Sequence, residues 1–309
     1  MAMKILVLGK NGQVGFELQR SMAVLGDVVA VARDRCDLAQ PDSVRSVLRA
    51  ERPDVILNAA AYTAVDKAEQ ETDLANLVNG KAAGVLAEEA EAADALLVHY
   101  STDYVFDGTK AGAYREDDEV APQSAYGLSK LAGEQAIRQV CAKHVILRTS
   151  WVFGAHGANF LKTALRLARQ RDAVKIVADQ FGAPTGAALI ADVTAHIVAR
   201  YGREKAGNAE HSPFPYGTYH LAASGETTWH GYAVLVAQLA KRAGVNLRVE
   251  PDDIQPIATS EYPLPAHRPA NSRLNTVKLR EAFGLTLPAW QTSVTQAMQL
   301  ITEQIKAEG

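Results

Sequence analysis

A glycine-rich turn directly after the first apolar run most constrains the fold of this 309-residue chain. Residues 3–8 form a short apolar run typical of a buried strand, and residues 9–15 read Gly-Lys-Asn-Gly-Gln-Val-Gly. Gly9 permits a tight turn, and Gly15 lets a following helix pack closely against the strand. The free N–H groups at the start of that helix favour an anion such as a pyrophosphate. The pattern predicts a dinucleotide-binding turn, with an ordinary strand-to-helix connection as the alternative.

Apolar runs and helical patterns then alternate over the first half of the chain. The predicted strands are 4–8, 27–32, 54–58, 95–100 and 144–148, and the predicted helices are 12–25, 41–51, 74–92 and 126–141. This alternation specifies an α/β fold with a doubly wound parallel sheet of the Rossmann type.

The pattern becomes less regular after residue 150. Val174–Val177 is predicted to add a strand to the sheet, and residues 187–200 a helix. The five prolines between Pro251 and Pro269 argue against regular structure there. We therefore assign residues 1–150 to a dinucleotide-binding domain, to which 176–200 returns. Residues 151–175 and 201–309 are assigned to a smaller, mostly C-terminal α/β domain that binds the substrate.

Two further segments carry reactive side chains. Tyr126 and Lys130 lie four residues apart on a predicted helix, so that phenol and ammonium share one face. A neighbouring cation favours phenolate, and we expect Lys130 to lower the pKa of Tyr126. Thr102 follows the fourth predicted strand, where ligands of a parallel sheet bind. Taken alone, each segment could equally be a solvated helix face or a Ser/Thr turn.

In this order and spacing, the three segments resemble the extended short-chain dehydrogenase/reductase superfamily. Within it the chain is most similar to the dTDP-4-dehydrorhamnose reductase family, in residues 9–15, 58–69, 101–106, 148–153, 179–185 and 268–274. The resemblance implies NAD(P)H-dependent reduction of the C4 keto group of dTDP-4-dehydro-beta-L-rhamnose to dTDP-L-rhamnose. The expected partner is thus a small nucleotide-sugar substrate.

The resemblance also implies roles for individual residues. Tyr126 would donate the proton, Thr102 would hydrogen-bond the same oxygen, and Lys130 would hold the nicotinamide ribose. The residues implied for the cofactor are Gly9, Asn11, Gly12, Gln13, Val14, Gly15, Arg33, Asp37, Leu38, Ala59, Ala60 and Ala61, with Tyr126 and Lys130. Those implied for the substrate are Trp151, Asn159, Arg268, Asn271 and Ser272.

The end of the second strand bears on the choice of cofactor. Arg33 or Arg35 could accept a 2′-phosphate and favours NADPH, whereas the neighbouring Asp34 leaves NADH open as a second cofactor.

Four other functions are weighed against reduction of dTDP-4-dehydro-beta-L-rhamnose. A 4,6-dehydratase of the superfamily carries an Asp-Glu pair after the threonine, but here Asp103 is followed by Tyr104. A 4-epimerase or another 4-reductase would keep the same three reactive residues and stays open. A regulatory subunit that binds a dinucleotide without turnover also stays open, although it has no need of them.

Composition narrows the partners. The net charge of −3 gives no indication of nucleic acid or an anionic membrane as a partner. Residues 1–8 lack a secretion signal and no run of about 20 apolar residues occurs, so we expect a cytoplasmic protein. The two cysteines offer no disulfide framework or CxxC metal site.

No metal site is assigned. Some reductases of this family are associated with magnesium held between subunits by acidic residues. Glu17 could match one of these residues, but residues 186–189 read Gly-Ala-Ala-Leu, with alanine in place of the second acid. The sequence therefore does not support magnesium, and it leaves a homodimer open.

Overall fold

A computed structural model describes residues 2–207 and 213–308 of the chain. Its first half alternates strands with helices, as the sequence predicts. In chain order these elements are β1 (Met3–Leu8), α1 (Gln13–Met22), β2 (Gly26–Val31), α2 (Pro41–Glu51), β3 (Val55–Asn58), α3 (Val65–Ala68), α4 (Thr72–Ala75), α5 (Ala82–Ala92), β4 (Leu96–Thr102), α6 (Ala125–Val140) and β5 (His144–Thr149). A π-helical turn, Asn76–Lys81, joins α4 to α5, and a short 3-10 helix, Asp103–Val105, follows β4.

The second half has shorter strands between its helices. In chain order these elements are β6 (Val152–Phe153), α7 (Phe160–Gln170), β7 (Lys175–Val177), β8 (Phe181–Gly182), β9 (Thr185–Gly186), α8 (Ala187–Lys205), β10 (Gly217–His220), β11 (Thr227–Thr228), α9 (Trp229–Arg242), β12 (Gln255–Ile257), α10 (Val277–Phe283) and α11 (Trp290–Glu308). No helix in the two described ranges is long and apolar enough to cross a membrane.

Six parallel strands form the central sheet, in the order β10-β5-β4-β3-β1-β2. Successive connections run in opposite directions from β1, so that the carboxyl ends of β1 and β3 flank a crevice where ligands of such sheets bind. The predicted fold class, a doubly wound parallel sheet, is confirmed.

Helices cover both faces of this sheet. Alternate strand residues such as Ile5 and Val7 face one core, to which α1, α8 and α10 contribute. The residues between them, such as Leu6 and Leu8, face a second core under α2, α5 and α6. Because both faces are buried, the strands read as continuous apolar runs rather than as an alternation of apolar and polar residues.

A separate core lies among α7, α9 and α11. Its largest fully buried member is Tyr232, which α9 places against Phe153 and Trp290. This second apolar cluster gives the later part of the chain its own packing, beside the carboxyl edge of the central sheet.

The prediction that Val174–Val177 joins the central sheet is wrong. β7 instead pairs in parallel with β12, in a segment where the prolines argue against regular structure. Val174 and Ile176 bury their side chains in the core of α7 and α9, so they cannot also cover the central sheet. Pro256 is tolerated in β12 because this two-stranded sheet consists of edge strands. The sixth strand of the central sheet is β10, beside β5.

Candidate active site

A cleft of about 900 Å³ opens at the carboxyl ends of β1, β3, β4 and β5. It brings together most of the residues predicted to act: Gly9, Asn11, Gly12, Gln13, Val14, Arg33, Asp37, Leu38, Ala59, Ala60, Ala61, Thr102, Tyr126, Lys130, Trp151 and Asn159. Four others, Gly15, Arg268, Asn271 and Ser272, do not line it.

The glycine turn shapes one end of the cleft. Gly9 has φ +82°, a left-handed conformation that disfavours other residues, and its N–H donates to the carbonyl oxygen of Val31 at 3.0 Å. Gly15 lies so close to the turn that an added Cβ would be 2.1 Å from the Gly9 oxygen. No side chain of the described residues caps α1 at Gly12, so the first N–H groups of this helix remain available to an anion.

Two arginines at the end of β2 differ in their surroundings. Arg33 lines the cleft, is 79% exposed along its side chain, and lies 3.4 Å from the Asp37 carboxylate. Arg35 is not part of the cleft lining and pairs with Glu51. Of the two arginines, Arg33 is the one placed to meet a bound phosphate.

Helix α6 presents Tyr126 and Lys130 to the cleft on one face. The Ser124 hydroxyl caps this helix by accepting from the N–H of Gly127 at 3.1 Å. Lys130 Nζ donates to the Tyr100 carbonyl oxygen at 2.7 Å and lies 3.0 Å from His99 Nε2. An ammonium has three N–H donors, so one is left for a ligand in the cleft.

Thr102 ends β4 beside the phenol of Tyr126. Its hydroxyl donates to Asp103 Oδ1 at 3.1 Å and accepts from the N–H of Tyr104, also at 3.1 Å. The Tyr104 ring meets that of Tyr126 edge to face, with centroids 5.5 Å apart. These contacts hold the Thr102 hydroxyl and the Tyr126 phenol next to each other in the cleft.

Burial dominates the titration of these groups. Burial, and then the charge of Asp103, raise the pKa of Tyr126 to about 12, although its hydrogen bond with Thr102 acts in the opposite direction. Burial also lowers the pKa of Lys130 to about 8, against the opposing charge of Glu134. The expectation that Lys130 lowers the pKa of Tyr126 is therefore wrong, because the ammonium is directed at Tyr100 and His99 and desolvation outweighs its field.

Sequence reasoning missed two residues behind Lys130. His99 and Asn58 are opposite one another on β4 and β3, and His99 Nδ1 lies 3.0 Å from Asn58 Nδ2. Burial, together with the charge of Lys130, holds the pKa of His99 well below its usual range, so the imidazole is neutral. In the sequence, each of these residues is a polar residue in an otherwise apolar strand. They can be recognised as a contacting pair only when the register of β3 on β4 is known.

Glu134, one helical turn beyond Lys130, fastens α6 to the sheet. Its fully buried carboxylate accepts from Arg148 Nε at 2.9 Å and Nη2 at 2.7 Å. It also accepts from the Ser101 hydroxyl at 2.6 Å and from Arg138 Nη1 at 2.9 Å. These charge-assisted bonds lower the pKa of Glu134 despite its burial. Through this anchor, α6 holds Tyr126 and Lys130 in place over the strand ends.

Trp151 adopts a backbone conformation that is rare for a bulky residue. Its φ is +50°, which costs about 1–3 kcal/mol and persists only where the surroundings enforce it. The indole lines the cleft and stacks on Trp229, with ring centroids 3.8 Å apart. Such strain is a frequent property of functional sites.

Asn159 also lines the cleft, with its amide already engaged. Its Oδ1 caps α7 by accepting from the N–H of Lys162 at 3.1 Å. Its Nδ2 donates to Gln13 Oε1 and to the Gly154 oxygen, both at 2.8 Å. Asn159 thus joins α7 to the helix that begins at the glycine turn.

The three predicted substrate residues outside the cleft lining lie on one late segment. Arg268 Nη2 pairs with Asp66 at 2.7 Å. Burial and the charge of Asp103 raise the pKa of Tyr104, a residue of the cleft lining, and the charge of Arg268 partly opposes this rise, so Arg268 lies near the cleft. Asn271 Nδ2 donates to the carbonyl oxygens of Lys110 and Gly112, at 2.7 Å and 2.8 Å. The Ser272 side chain is buried. Arg268 is the member of this group with a charge within reach of the cleft mouth.

No metal centre is evident in residues 2–207 and 213–308, where no three His, Cys, Asp or Glu side chains form a group that could hold an ion. Glu17, the acid that the sequence singles out, lies 3.4 Å from Arg20.

Comparison with known proteins gives a consistent family. A model of the RmlD substrate binding domain matches residues 3–303. A dTDP-4-dehydrorhamnose reductase from Burkholderia thailandensis is 51% identical over 292 residues, covering 94% of this chain and 97% of that protein. The enzyme of the same name from Shigella flexneri is 48% identical over 300 residues, covering 96% and 97%. The crystal structure of the reductase from Bacillus anthracis in complex with NADP has a TM-score of 0.86 at 32% identity and covers 97% of this chain and 100% of that chain.

Proposed function

This chain belongs to the dTDP-4-dehydrorhamnose reductase family, and we propose that its cleft carries out the reaction that gives the family its name. The enzyme reduces the C4 ketone of dTDP-4-dehydro-beta-L-rhamnose to dTDP-L-rhamnose with a nicotinamide cofactor. The observation that carries this function is the meeting of Thr102, Tyr126 and Lys130 with the glycine turn in one cleft.

The residues at the glycine turn suit a nicotinamide dinucleotide. The uncapped N-terminus of α1 would hold the pyrophosphate, since its N–H groups and dipole favour an anion. Asp37 and Leu38 would contact the adenosine, and Ala59, Ala60 and Ala61 would line the passage toward the nicotinamide. The remaining N–H of Lys130 would reach the nicotinamide ribose. When bound, the reduced nicotinamide supplies the hydride.

Tyr126 would give the proton that completes the alcohol. With a pKa raised to about 12, its phenol keeps its proton at neutral pH, and the alkoxide that emerges from the ketone is basic enough to take that proton. Thr102 would hydrogen-bond the same oxygen, since its hydroxyl lies beside the phenol at the end of β4.

We expect NADPH to be preferred, with NADH also accepted. Arg33 lines the cleft with a largely exposed side chain that could accept a 2′-phosphate, whereas Arg35 lies outside the lining and is paired with Glu51. Magnesium is no part of this proposal.

For the nucleotide-sugar, Arg268 is the first candidate to grip the diphosphate, because guanidinium binds phosphate oxygens bidentately. Binding would draw it from Asp66, its present partner at 2.7 Å. Trp151 and Asn159 would face the sugar from the cleft wall. Asn271 and Ser272 would support Arg268 from the same segment, since their polar atoms hold it to residues 108–112 and to β8.

The test is oxidation of NADPH by the purified protein on addition of dTDP-4-dehydro-L-rhamnose, followed by identification of dTDP-L-rhamnose by mass spectrometry. Tyr126→Phe removes the proton donor and should lower kcat by about 10²- to 10⁴-fold. Tyr232→Phe is the matched control, since it deletes a buried tyrosine hydroxyl in the separate core of α7, α9 and α11. Absence of oxidation by wild-type protein that binds NADPH would refute the reductase assignment.

A further inference from the structure

The conformation of Trp151 is enforced from outside the cleft. Its backbone lies in the left-handed region at φ +50°, and its carbonyl oxygen accepts from the N–H of Thr185 at 3.2 Å. A bulky residue keeps such a conformation only where packing enforces it. The packing around its indole therefore fixes the position of the Trp151 side chain in the cleft wall.

Trp229 packs directly on that indole. The two indoles are stacked, with centroids 3.8 Å apart and planes 17° from parallel. Trp151 lines the cleft whereas Trp229 does not, so Trp229 lies behind the wall. It begins α9 directly after Thr228, whose hydroxyl caps that helix by accepting from the N–H of Gly231 at 3.1 Å.

Hydrogen bonds fix the plane of the Trp229 ring. Its Nε1 donates to Gln180 Oε1 at 3.0 Å, and Gln180 Nε2 donates to the Thr259 hydroxyl at 3.1 Å. Thr259 is held in turn by Asp179, whose carboxylate accepts from its N–H at 2.9 Å. The buried Gln180 therefore leaves the supporting indole little freedom to rotate.

Gly182 completes the support. A Cβ built on this residue would lie 2.7 Å from Cε2 of the Trp151 indole, closer than such atoms approach. β8 carries Gly182 and pairs with β11, which directly precedes Trp229. This antiparallel pair of strands, which are distant in sequence, therefore positions both surfaces against which the Trp151 ring packs.

We propose that Trp229 is a positioning residue that holds the Trp151 indole as the sugar-facing wall, and that it thereby sets the affinity for the sugar part of the substrate. This inference rests on the proposed function. The chemistry that a flat indole wall recognises is an apolar face of the sugar, such as the ring C–H groups and methyl of a 6-deoxyhexose. Cofactor affinity should not depend on Trp229, because the glycine turn and Arg33 belong to other elements.

The experiment measures KM for the sugar nucleotide and for NADPH in Trp229→Ala, Trp151→Ala and the double variant. Loss of an aromatic pair should raise the sugar-nucleotide KM of Trp229→Ala about 2- to 10-fold with an unchanged NADPH KM. If Trp229 acts through Trp151, the double variant should match Trp151→Ala alone, since coupled residues are not additive. Trp229→Phe retains a ring and should recover most of the affinity.

A spectroscopic reading separates this role from general destabilisation. The chain has three tryptophans, and the stacked pair should give a coupled circular-dichroism signal. Trp229→Phe should abolish that signal, whereas the control Trp290→Phe, in the core of α9 and α11, should keep it and leave both KM values unchanged. Trp229→Leu replaces the alanine variant where the latter does not fold.

The proposal is overturned if a folded Trp229→Ala or Trp229→Leu protein has an unchanged sugar-nucleotide KM, if both KM values rise together, or if the effects of Trp151 and Trp229 add. Failure of the proposed function would be seen differently, because the unmodified protein would then show no turnover of the sugar nucleotide.

Discussion

Replacing Glu134 with glutamine should both destabilise the protein and shift the pH dependence of its kcat/KM. The wild-type carboxylate is fully buried and accepts hydrogen bonds from Arg148, Arg138 and Ser101. The amide of glutamine carries no charge, and its NH2 group would face the N–H groups of a guanidinium, with which it cannot form a hydrogen bond. Arg148, 2% exposed, would then keep a buried positive charge without its counterion.

The magnitude follows from that geometry. Breaking one partner of a buried ion pair costs about 3–5 kcal/mol, a large part of the roughly 5–15 kcal/mol that stabilises a typical protein. At about 2 °C per kcal/mol for a chain of this size, Tm should fall by roughly 6–10 °C. The pKa of Glu134 is lowered by Arg148, so this contribution is present above the ordinary carboxyl pKa and is lost as pH falls through the lowered value.

The same substitution should reach the active site. The Glu134 charge raises the pKa of Lys130 against the effect of burial. Without it, the pKa of Lys130 should fall below its present value of about 8, and the alkaline loss of kcat/KM should begin at a lower pH. If the role of Glu134 were purely structural, Glu134→Gln would lower Tm but would not change the pH at which kcat/KM falls on the alkaline side.

Thermal unfolding at neutral pH and a pH series of kcat/KM test both parts. The control is Glu88→Gln, which removes a carboxylate 2.9 Å from Arg45 on the surface and should cost about 0–1 kcal/mol. Glu134→Leu with Arg148→Met removes both charges and should be more stable than Glu134→Gln. The reasoning is refuted if Glu134→Gln lowers Tm no more than Glu88→Gln does.

Two other predictions concern the cofactor side of the cleft. In the wild-type enzyme, kcat/KM should fall as pH rises through about 8. Burial lowers the pKa of Lys130 to that value, and its ammonium is lost above it. A kcat/KM that stays constant well beyond pH 8 would contradict a role for the Lys130 ammonium. Arg33→Ala should raise the KM for NADPH about 10-fold and leave the KM for NADH nearly unchanged, since only NADPH carries the 2′-phosphate. Arg35→Ala is the matched control, because it removes a neighbouring arginine that pairs with Glu51, as Lys4 also does. An equal rise with both cofactors in Arg33→Ala would count against Arg33 as the phosphate ligand.

Local patterns were sufficient for the fold class and for the first half of the chain. The apolar runs before residue 150 each became a strand of the central sheet, and α2 begins at Pro41 and ends at Glu51 as predicted. The glycine turn and Thr102 fell at strand ends, where a parallel sheet exposes them to one cleft. These features follow from residues close together in sequence, because each strand and helix is decided by its own period of apolar residues.

Pairings between distant segments could not be predicted in the same way. Val174–Val177 has the composition of a core strand, and only the position of the α7 and α9 core decides that β7 pairs with β12. The Asn58–His99 contact requires the register of β3 on β4. Trp229 lies far in sequence from Trp151, and the β8–β11 pairing just before Trp229 helps to bring the two rings together. The division into two domains at residue 150 stays a prediction.

The place of β10 in the central sheet has a consequence for synthesis of the protein. β10 covers the edge of β5, and α8 covers much of one face, so both must leave the ribosome before the sheet is closed. A nascent chain that ends near residue 150 would present the unpaired edge of β5 and a bare apolar face, the usual template for aggregation. The dinucleotide-binding half is therefore completed only when residues made much later return to it, and it should not survive as a separately expressed fragment.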